Sequence, residues 1–441
     1  MTEPKGAAAK EKKGGDVAIK WHGFYQGKIG TNIKVPITSL NDFSYWYTPY
    51  VADVCRAIQA DEHRQYELTN KSNLVAVVTD GTRILGLGDI GPKAGMPVME
   101  GKAMIFKYLG DVDAFPICLG TKDEDHIIQA VKWIAPTFGG INLEDIDSPK
   151  CFKILQELTK QLDIFVWHDD QQGTATVILA GLINALKVAG KKIGEIQTAI
   201  IGAGAAGIPT ARLLIEAGTK QENIIMVDSK GILSNDRRDM DKWKAGIARI
   251  TNGEQRTGGI EEALKDCDVV IGISKPGPGV ITKEMVKSMA TNSIVFALAN
   301  PTPEILPSEA KEAGAKVVAT GRSDFPNQVN NSIGFPAILR GALDVHAKTI
   351  NAEMMIEAAT EVAKFAEEKG LSDDYIVPRM TELEMYPREA AAIARAAIRT
   401  GVAKVKVDPK KIQEDTLKRI MANKKINELL VKENFIKPFP Q

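Results

Sequence analysis

Two apolar runs of the chain end in paired acids. "GINLEDI" delivers Glu144 and Asp145, and "FVWHDD" delivers Asp169 and Asp170. Carboxylates gathered at strand ends repel one another, so their placement asks for a counter-charge. Each acid taken singly reads as a solvated strand end or a helix cap. The group reads differently: carboxylates with no neighbouring cysteine and no histidine pair make a hard oxygen donor set, suited to Mg²⁺ or Mn²⁺. In a regular strand Glu144 and Asp145 would point to opposite faces. Both can ligate only where the chain has already left the strand, which the following "DIDSP" permits.

A second chemical signal follows. "QTAIIGAGAAGIPTARLLIEAG" carries G-x-G-x-x-G at Gly202, Gly204 and Gly207, between an apolar run rich in β-formers and an amphipathic helix. The first glycine allows the tight turn and the second lets backbone approach a pyrophosphate. The third lets helix and strand pack closely, and the free N–H groups of the helix start face the phosphates. The turn therefore predicts cofactor contacts from Gly202, Gly204, Ala205, Ala206 and Gly207. Downstream, "NIIMVDS" ends in Asp228 at the distance where an acid accepts hydrogen bonds from a ribose 2′-hydroxyl and repels a 2′-phosphate. NAD is the expected cofactor, with NADP left open by Ser229 and Lys230. "SKPGPGV", starting at Ser274, resembles a loop that covers the cofactor.

The elements that must position these groups alternate. "NLVAVVTD", "RILGLGD", "DAFPICL", "GGINLED" and "DIFVWHDD" read as strands with helices between them. A long apolar helix, "GTATVILAGLINALKVAGK", then leads to a second series, "QTAIIGAG", "NIIMVDS", "CDVVIGIS", "SIVFALAN" and "AKVVATG". Such alternation predicts an α/β fold: an N-terminal α/β domain, then a doubly wound Rossmann-type domain, then C-terminal helices. The boundary is expected within residues 163–172. "MTEPKGAAAKEKKGG" reads as a mobile tail and "FIKPFPQ" as an irregular arm packed on another part of the chain.

Composition narrows the function classes. The 441 residues allow two or three domains. Lysine plus arginine equals aspartate plus glutamate, 56 each, so no global field favours nucleic acid or an acidic membrane. Cys55, Cys118, Cys151 and Cys267 form no CxxC pair, which disfavours zinc and disulfide frameworks. The start lacks an apolar signal region and the apolar runs look too short to cross a bilayer. The expectation is a soluble cytoplasmic protein. His22, His63, His126, His168 and His346 show no metal-binding spacing.

Taken together, "YTPYVADVCR", "VAVVTDGTRILGLGDIGP", "PVMEGKA", "IAPTFGGINLEDI", "HDDQQGTA", "GAGAAGI", "FALANPTPEI", "ATGRSDFPNQVNN" and "GFPAILRGALDV" make the chain resemble the malic enzymes of the short prokaryotic type, from about residue 27 to 404. The resemblance implies oxidation of L-malate with NAD or NADP, decarboxylation of the oxaloacetate held at a divalent metal, and protonation of enolpyruvate to pyruvate. It implies Glu144, Asp145 and Asp170 as metal ligands with Asp169 beside them, Lys102 as general base and Tyr47 as general acid. Arg83, Asn300 and Asn331 would bind substrate, and Asn300 would also lie near the cofactor.

A lysine base must be neutral, against a reference pKa of about 10.4. Burial beside the metal and Arg83 is expected to depress it. Four segments follow: a tail at 1–26, a malic enzyme N-terminal domain at 27–165, an NAD(P)-binding domain at 166–345 and a helical region with arm at 346–441. The resemblance also implies a homodimer, with residues that could cross between subunits. Two departures stand out: Tyr50 where short members often have glycine, and Gln172 where many have histidine. No acyltransferase-like extension follows, so no second activity of that kind is expected.

Overall fold

The computed structural model describes residues 5–440. Its first sheet is formed by β1 (Leu74–Thr79), β2 (Asp113–Cys118), β3 (Gly140–Leu143) and β4 (Phe165–His168), all parallel in the order β2-β1-β3-β4. The second sheet takes β5 (Thr198–Ile201), β6 (Ile224–Asp228), β7 (Gly231–Ile232), β8 (Val269–Gly272), β9 (Ile294–Ala297) and β10 (Val317–Thr320) in the order β10-β9-β8-β5-β6-β7. Only β7 runs antiparallel. Its two residues carry no sequence pattern long enough to be read as a strand. Parallel strands covered on both faces are apolar throughout, and the five residues Val75–Thr79 are all buried.

In β5 the alternation places Ile200 in the main core, while Ala199 and Ile201 join a smaller cluster on the opposite face of that sheet. The main core runs through both sheets and into the C-terminal helices. The helix Thr174–Ala189 links the two sheets. By length and hydropathy Asp169–Ala189 could cross a membrane, contrary to the expectation that every apolar run is too short, but 72% of the window is buried inside the protein. A Cβ on Gly181 would come within 3.2–3.3 Å of Val329 and Phe296, so this helix is seated against the second sheet.

Three further expectations change. "RILGLGD" is a loop: Leu85 is left-handed at φ 47°, Gly88 sits at φ 76°, and a single bridge joins Ile84 to Gly88. A Cβ on Gly86 would lie 2.7 Å from the Asn300 carbonyl oxygen, so the glycine lets this loop press on the second domain. Residues Lys5–Tyr25 are helical where a mobile tail was expected; alanine and lysine serve helices as well as tails. Residues 1–4 lie outside the described residues.

A boundary between residues 165 and 166 would cut β4, which pairs with β3 at every one of its positions, so the first sheet extends to His168. The C-terminal arm does find a surface. Phe439 stacks on Trp21 at 4.4 Å, and the Tyr25 hydroxyl donates to the Lys437 carbonyl at 2.8 Å.

Candidate active site

β3 ends at Leu143, and Asp145 is left-handed at φ 54°. The chain has left its strand before the second acid, which removes the alternation that would have sent the two side chains apart. A non-glycine residue at positive φ is costly and concentrates at functional sites. Across the sheet, β4 passes into a π-helical turn, Asp169–Gly173, that carries the other acids. A Cβ on Gly173 would fall 2.0 Å from Asp169 Oδ1, so only glycine lets this turn close over Asp169.

Glu144, Asp145 and Asp170 bring one carboxylate oxygen each to within 4.8 Å of one another. Asp170 Oδ2 accepts the Asp145 N–H at 2.8 Å, and Glu144 Oε2 accepts from Asn142 Nδ2 at 2.8 Å. Asp145 Oδ2 is buried and has no hydrogen-bond partner. Burial, then the neighbouring Asp170, pushes Asp145 up to about 8, and burial with Asp170 and Asp169 pushes Glu144 well up despite Lys102. A buried nest of hard oxygens, one of them orphaned, fits a divalent cation.

Asp169 is separate and fully buried. It accepts from Lys102 Nζ at 2.6 Å, Asn331 Nδ2 at 3.0 Å and Trp167 Nε1 at 3.2 Å. Lys102 also meets Glu144 Oε1 at 2.9 Å and lies 4.2 Å from the centroid of the Phe335 ring. Burial alone would lower the lysine's pKa, but Asp169 and Glu144 outweigh it and hold the ammonium above its ordinary range. The expected depression belongs to the site with its cation bound, and of the two charges expected to cause it Arg83 does not contribute. Arg83 is exposed, and its backbone N–H donates to the Asp145 carbonyl at 3.0 Å.

Lys102, Asn331, Asp169 and the three acids are therefore gathered in one place. Tyr47 is not. It caps the short helix Phe43–Trp46 with its side chain 68% exposed, and no hydrogen bond or ring contact joins that side chain to Lys102 or the acids. Asn300 is exposed, with its Nδ2 2.7 Å from where a Cβ on Gly321 would lie.

In the second domain the glycine turn is built as the spacing requires. Gly202 takes φ 123°, and a Cβ there would meet the Ile273 carbonyl oxygen at 2.6 Å. Gly207 opens the helix Gly207–Glu216, with Ala206 as its N-cap. A Cβ on Gly204 would lie 3.6 Å from Ser148 Oγ, so the loop that follows the β3 acids faces the dinucleotide turn across the domain junction. Ala205 is half-buried beside Ala206, and the Ser274 hydroxyl oxygen is buried without a partner.

Asp228 ends β6 as expected, but its surroundings were not legible. Arg237 grips it with two bonds of 2.8 and 3.2 Å, Lys244 Nζ adds one at 2.8 Å, and the Lys230 N–H adds one at 2.9 Å. Burial raises the carboxyl's pKa, yet Arg237, Lys244 and that N–H bring it down to about 2. All four acceptor positions of a carboxylate are thus engaged, which mutes the repulsion of a 2′-phosphate that Asp228 alone would exert. Arg237 and Lys244 sit in a charge-dense stretch with no diagnostic spacing. Asn142 did carry a signal, as a lone polar residue inside a buried strand.

A cluster of carboxylates beside Lys102, facing a dinucleotide turn on a Rossmann-type sheet, is the arrangement of a nicotinamide-dependent dehydrogenase. The comparisons agree. Residues 26–126 and 121–159 match the malic enzyme N-terminal domain, and residues 171–398 match the malic enzyme NAD binding domain. The bifunctional malic/malolactic enzyme of Bacillus subtilis is 50% identical over 91% of this chain and 97% of its own. The NAD-dependent malic enzyme of Geobacillus stearothermophilus is 51% identical over 86% and 78%. NADP-dependent malic enzymes of other bacteria match at 41%. The crystal structure of malic enzyme from Pyrococcus horikoshii superposes with a TM-score of 0.92 at 51% identity, covering 95% of this chain and 98% of that one. The chain belongs to the malic enzyme family.

Proposed function

We propose that the chain converts L-malate and NAD or NADP into pyruvate, CO₂ and the reduced cofactor, with Mg²⁺ or Mn²⁺ held by Glu144, Asp145 and Asp170. The observation that carries this reading is the three-carboxylate nest with its orphaned Asp145 Oδ2, set against Lys102 and facing the Gly202–Gly207 turn. When bound, the cation supplies Lewis-acid polarisation at the C2 oxygen and stabilises negative charge as CO₂ leaves.

Lys102 takes the C2 hydroxyl proton while the C2 hydride passes to the nicotinamide. Its 2.6 Å bond to Asp169 orients the amine, and a cation held by the three acids would offset the negative charge that keeps Lys102 protonated and so favour the neutral base. Breaking the C3–C4 bond of the resulting oxaloacetate releases CO₂ and leaves enolpyruvate. The Tyr47 hydroxyl gives its proton to C3. Arg83 and Asn331 orient the malate carboxylates, and Asn300 lies between malate and cofactor. The Gly202–Gly207 turn, with Ala205 and Ala206, takes the pyrophosphate; Asp228 lies at the ribose and Ser274 beside the nicotinamide half.

The exposure of Tyr47 supports a homodimer in which this ring serves the partner's Lys102. It shares its surface with exposed Tyr45, Trp46 and Tyr50, and Leu85 and Leu87 are also exposed. Exposed apolar patches of this kind mark interfaces. Mixing subunits tests this. A hybrid of Tyr47→Phe and Lys102→Ala chains regains one intact site per dimer if the residues act across the interface, and regains none if each chain completes its own site. A cytoplasmic setting accords with four free thiols.

The activity itself is tested by incubating the protein with malate and Mn²⁺, with NAD and NADP side by side. Pyruvate, CO₂ and reduced cofactor are expected in equal amounts, and loss of turnover in a chelator. Reduced cofactor without CO₂ would refute decarboxylation.

A further inference from the structure

Glu304 is a carboxylate that the proposed chemistry does not use, and it is fully buried. Its Oε1 accepts the Ser274 N–H at 3.1 Å and its Oε2 accepts the Ala299 N–H at 3.1 Å. No lysine or arginine pairs with it among the described residues. A Cβ on Gly272 would lie 2.7–3.0 Å from its carboxylate atoms, so the last residue of β8 must be glycine for the carboxylate to lie there. The backbone joins in: the Gly279 and Ile281 N–H groups both donate to the Glu304 carbonyl at 3.2 Å.

Burying a carboxylate without a cation is expensive. Each oxygen of the carboxyl accepts one N–H, although burial raises the group's pKa; a glutamine would turn its own donor toward one of the two N–H groups. The two donors belong to different subsites. Ser274 follows Ile273, whose carbonyl rests on Gly202 of the dinucleotide turn, and Ala299 precedes Asn300, whose carbonyl touches Gly86 in the Arg83 loop. The cofactor loop and the substrate-side amide are thus pinned to one buried side chain.

We propose that Glu304 is a positioning residue that couples the two subsites, so that occupation of the malate site and occupation of the nicotinamide site strengthen each other through the Ser274–Glu304–Ala299 bridge. This rests on the reading that Ser274 and Asn300 flank cofactor and malate. The coupling is reciprocal by thermodynamic necessity.

The test titrates NADH by fluorescence into the Mn²⁺-loaded protein, with and without oxalate, a planar mimic of enolpyruvate. In the unaltered protein oxalate tightens NADH several-fold. In Glu304→Gln that tightening falls below twofold, and the KM values for NAD and malate rise about tenfold while kcat changes less than threefold. Glu304→Asp, which keeps the charge but draws the carboxylate back, stands in if Glu304→Gln does not fold. Intact coupling in a folded variant overturns the proposal, as does insolubility of both variants, which would give Glu304 a purely structural role. Failure of the unaltered protein to bind NADH or oxalate would strike the functional reading instead.

Discussion

Two acid sites end strands of the two sheets, and they are opposites. At Glu144, Asp145 and Asp170 one buried oxygen has no partner, and burial together with the neighbouring acids raises the affinity of Glu144 and Asp145 for protons. At Asp228 every acceptor position is filled by Arg237, Lys244 and a backbone N–H, and the affinity for protons falls. The first site lacks positive charge that a ligand must bring. The second is complete, and a ligand must compete for it. Charge balance separates the site proposed for a cation from the site proposed for cofactor discrimination, although both read simply as acids at strand ends in the sequence.

The sharpest way to break this contrast is at the deficient site. Asp170→Asn should cut kcat/KM for malate by roughly 10³ or more, about 4 kcal/mol of transition-state stabilisation, with NADH affinity unchanged by fluorescence titration. Lys102→Ala should lower malate oxidation by about 10²–10⁴-fold, the usual worth of a general base. Steady-state rates with malate, set beside NADH binding, separate lost chemistry from lost cofactor.

Tyr47→Phe should slow detritiation of tritiated pyruvate at C3 more than reduction of oxaloacetate, and equal losses would remove it from the acid role. At the saturated site effects should be smaller. Lys244→Ala should change the NADP to NAD ratio of kcat/KM by only a few-fold, because the ammonium already spends its charge on Asp228.

Acid should also part the two sites. The Asp228 pKa is depressed, so its clamp contributes stability above the unfolded-state value near 4, and that contribution is lost as pH falls through about 2. Because the clamp is partly hydrated, the loss should be ~1 kcal/mol rather than the full value of the shift. Urea unfolding at pH 5 and pH 2.5 should show a larger drop for the unaltered protein than for Asp228→Asn.

Much of this was legible in the chain. The parallel strands announced themselves as short, wholly apolar runs, and the glycine spacing between strand and helix located the dinucleotide turn. The acids stood out because four at strand ends have no structural use. What escaped notice depended on distant partners. "RILGLGD" alternates like a strand, but left-handed Leu85 and the approach of Asn300 to Gly86 make it a loop. The ion pairs of Lys102 with Asp169 and Glu144 join residues far apart along the chain, and the state of Asp228 depends on Arg237 and Lys244. Glu304 was visible within "ANPTPE", yet nothing there foretold that Ser274 and Ala299 would share it.

The central claim is that the Glu144–Asp145–Asp170 nest holds one divalent ion. Titration of metal-stripped protein with Mn²⁺, followed by the loss of the free-ion electron paramagnetic resonance signal, tests it most directly. One tight site per chain in the unaltered protein, absent in Asp170→Asn, is the predicted result. No stoichiometric binding, or binding that survives that substitution, would contradict it.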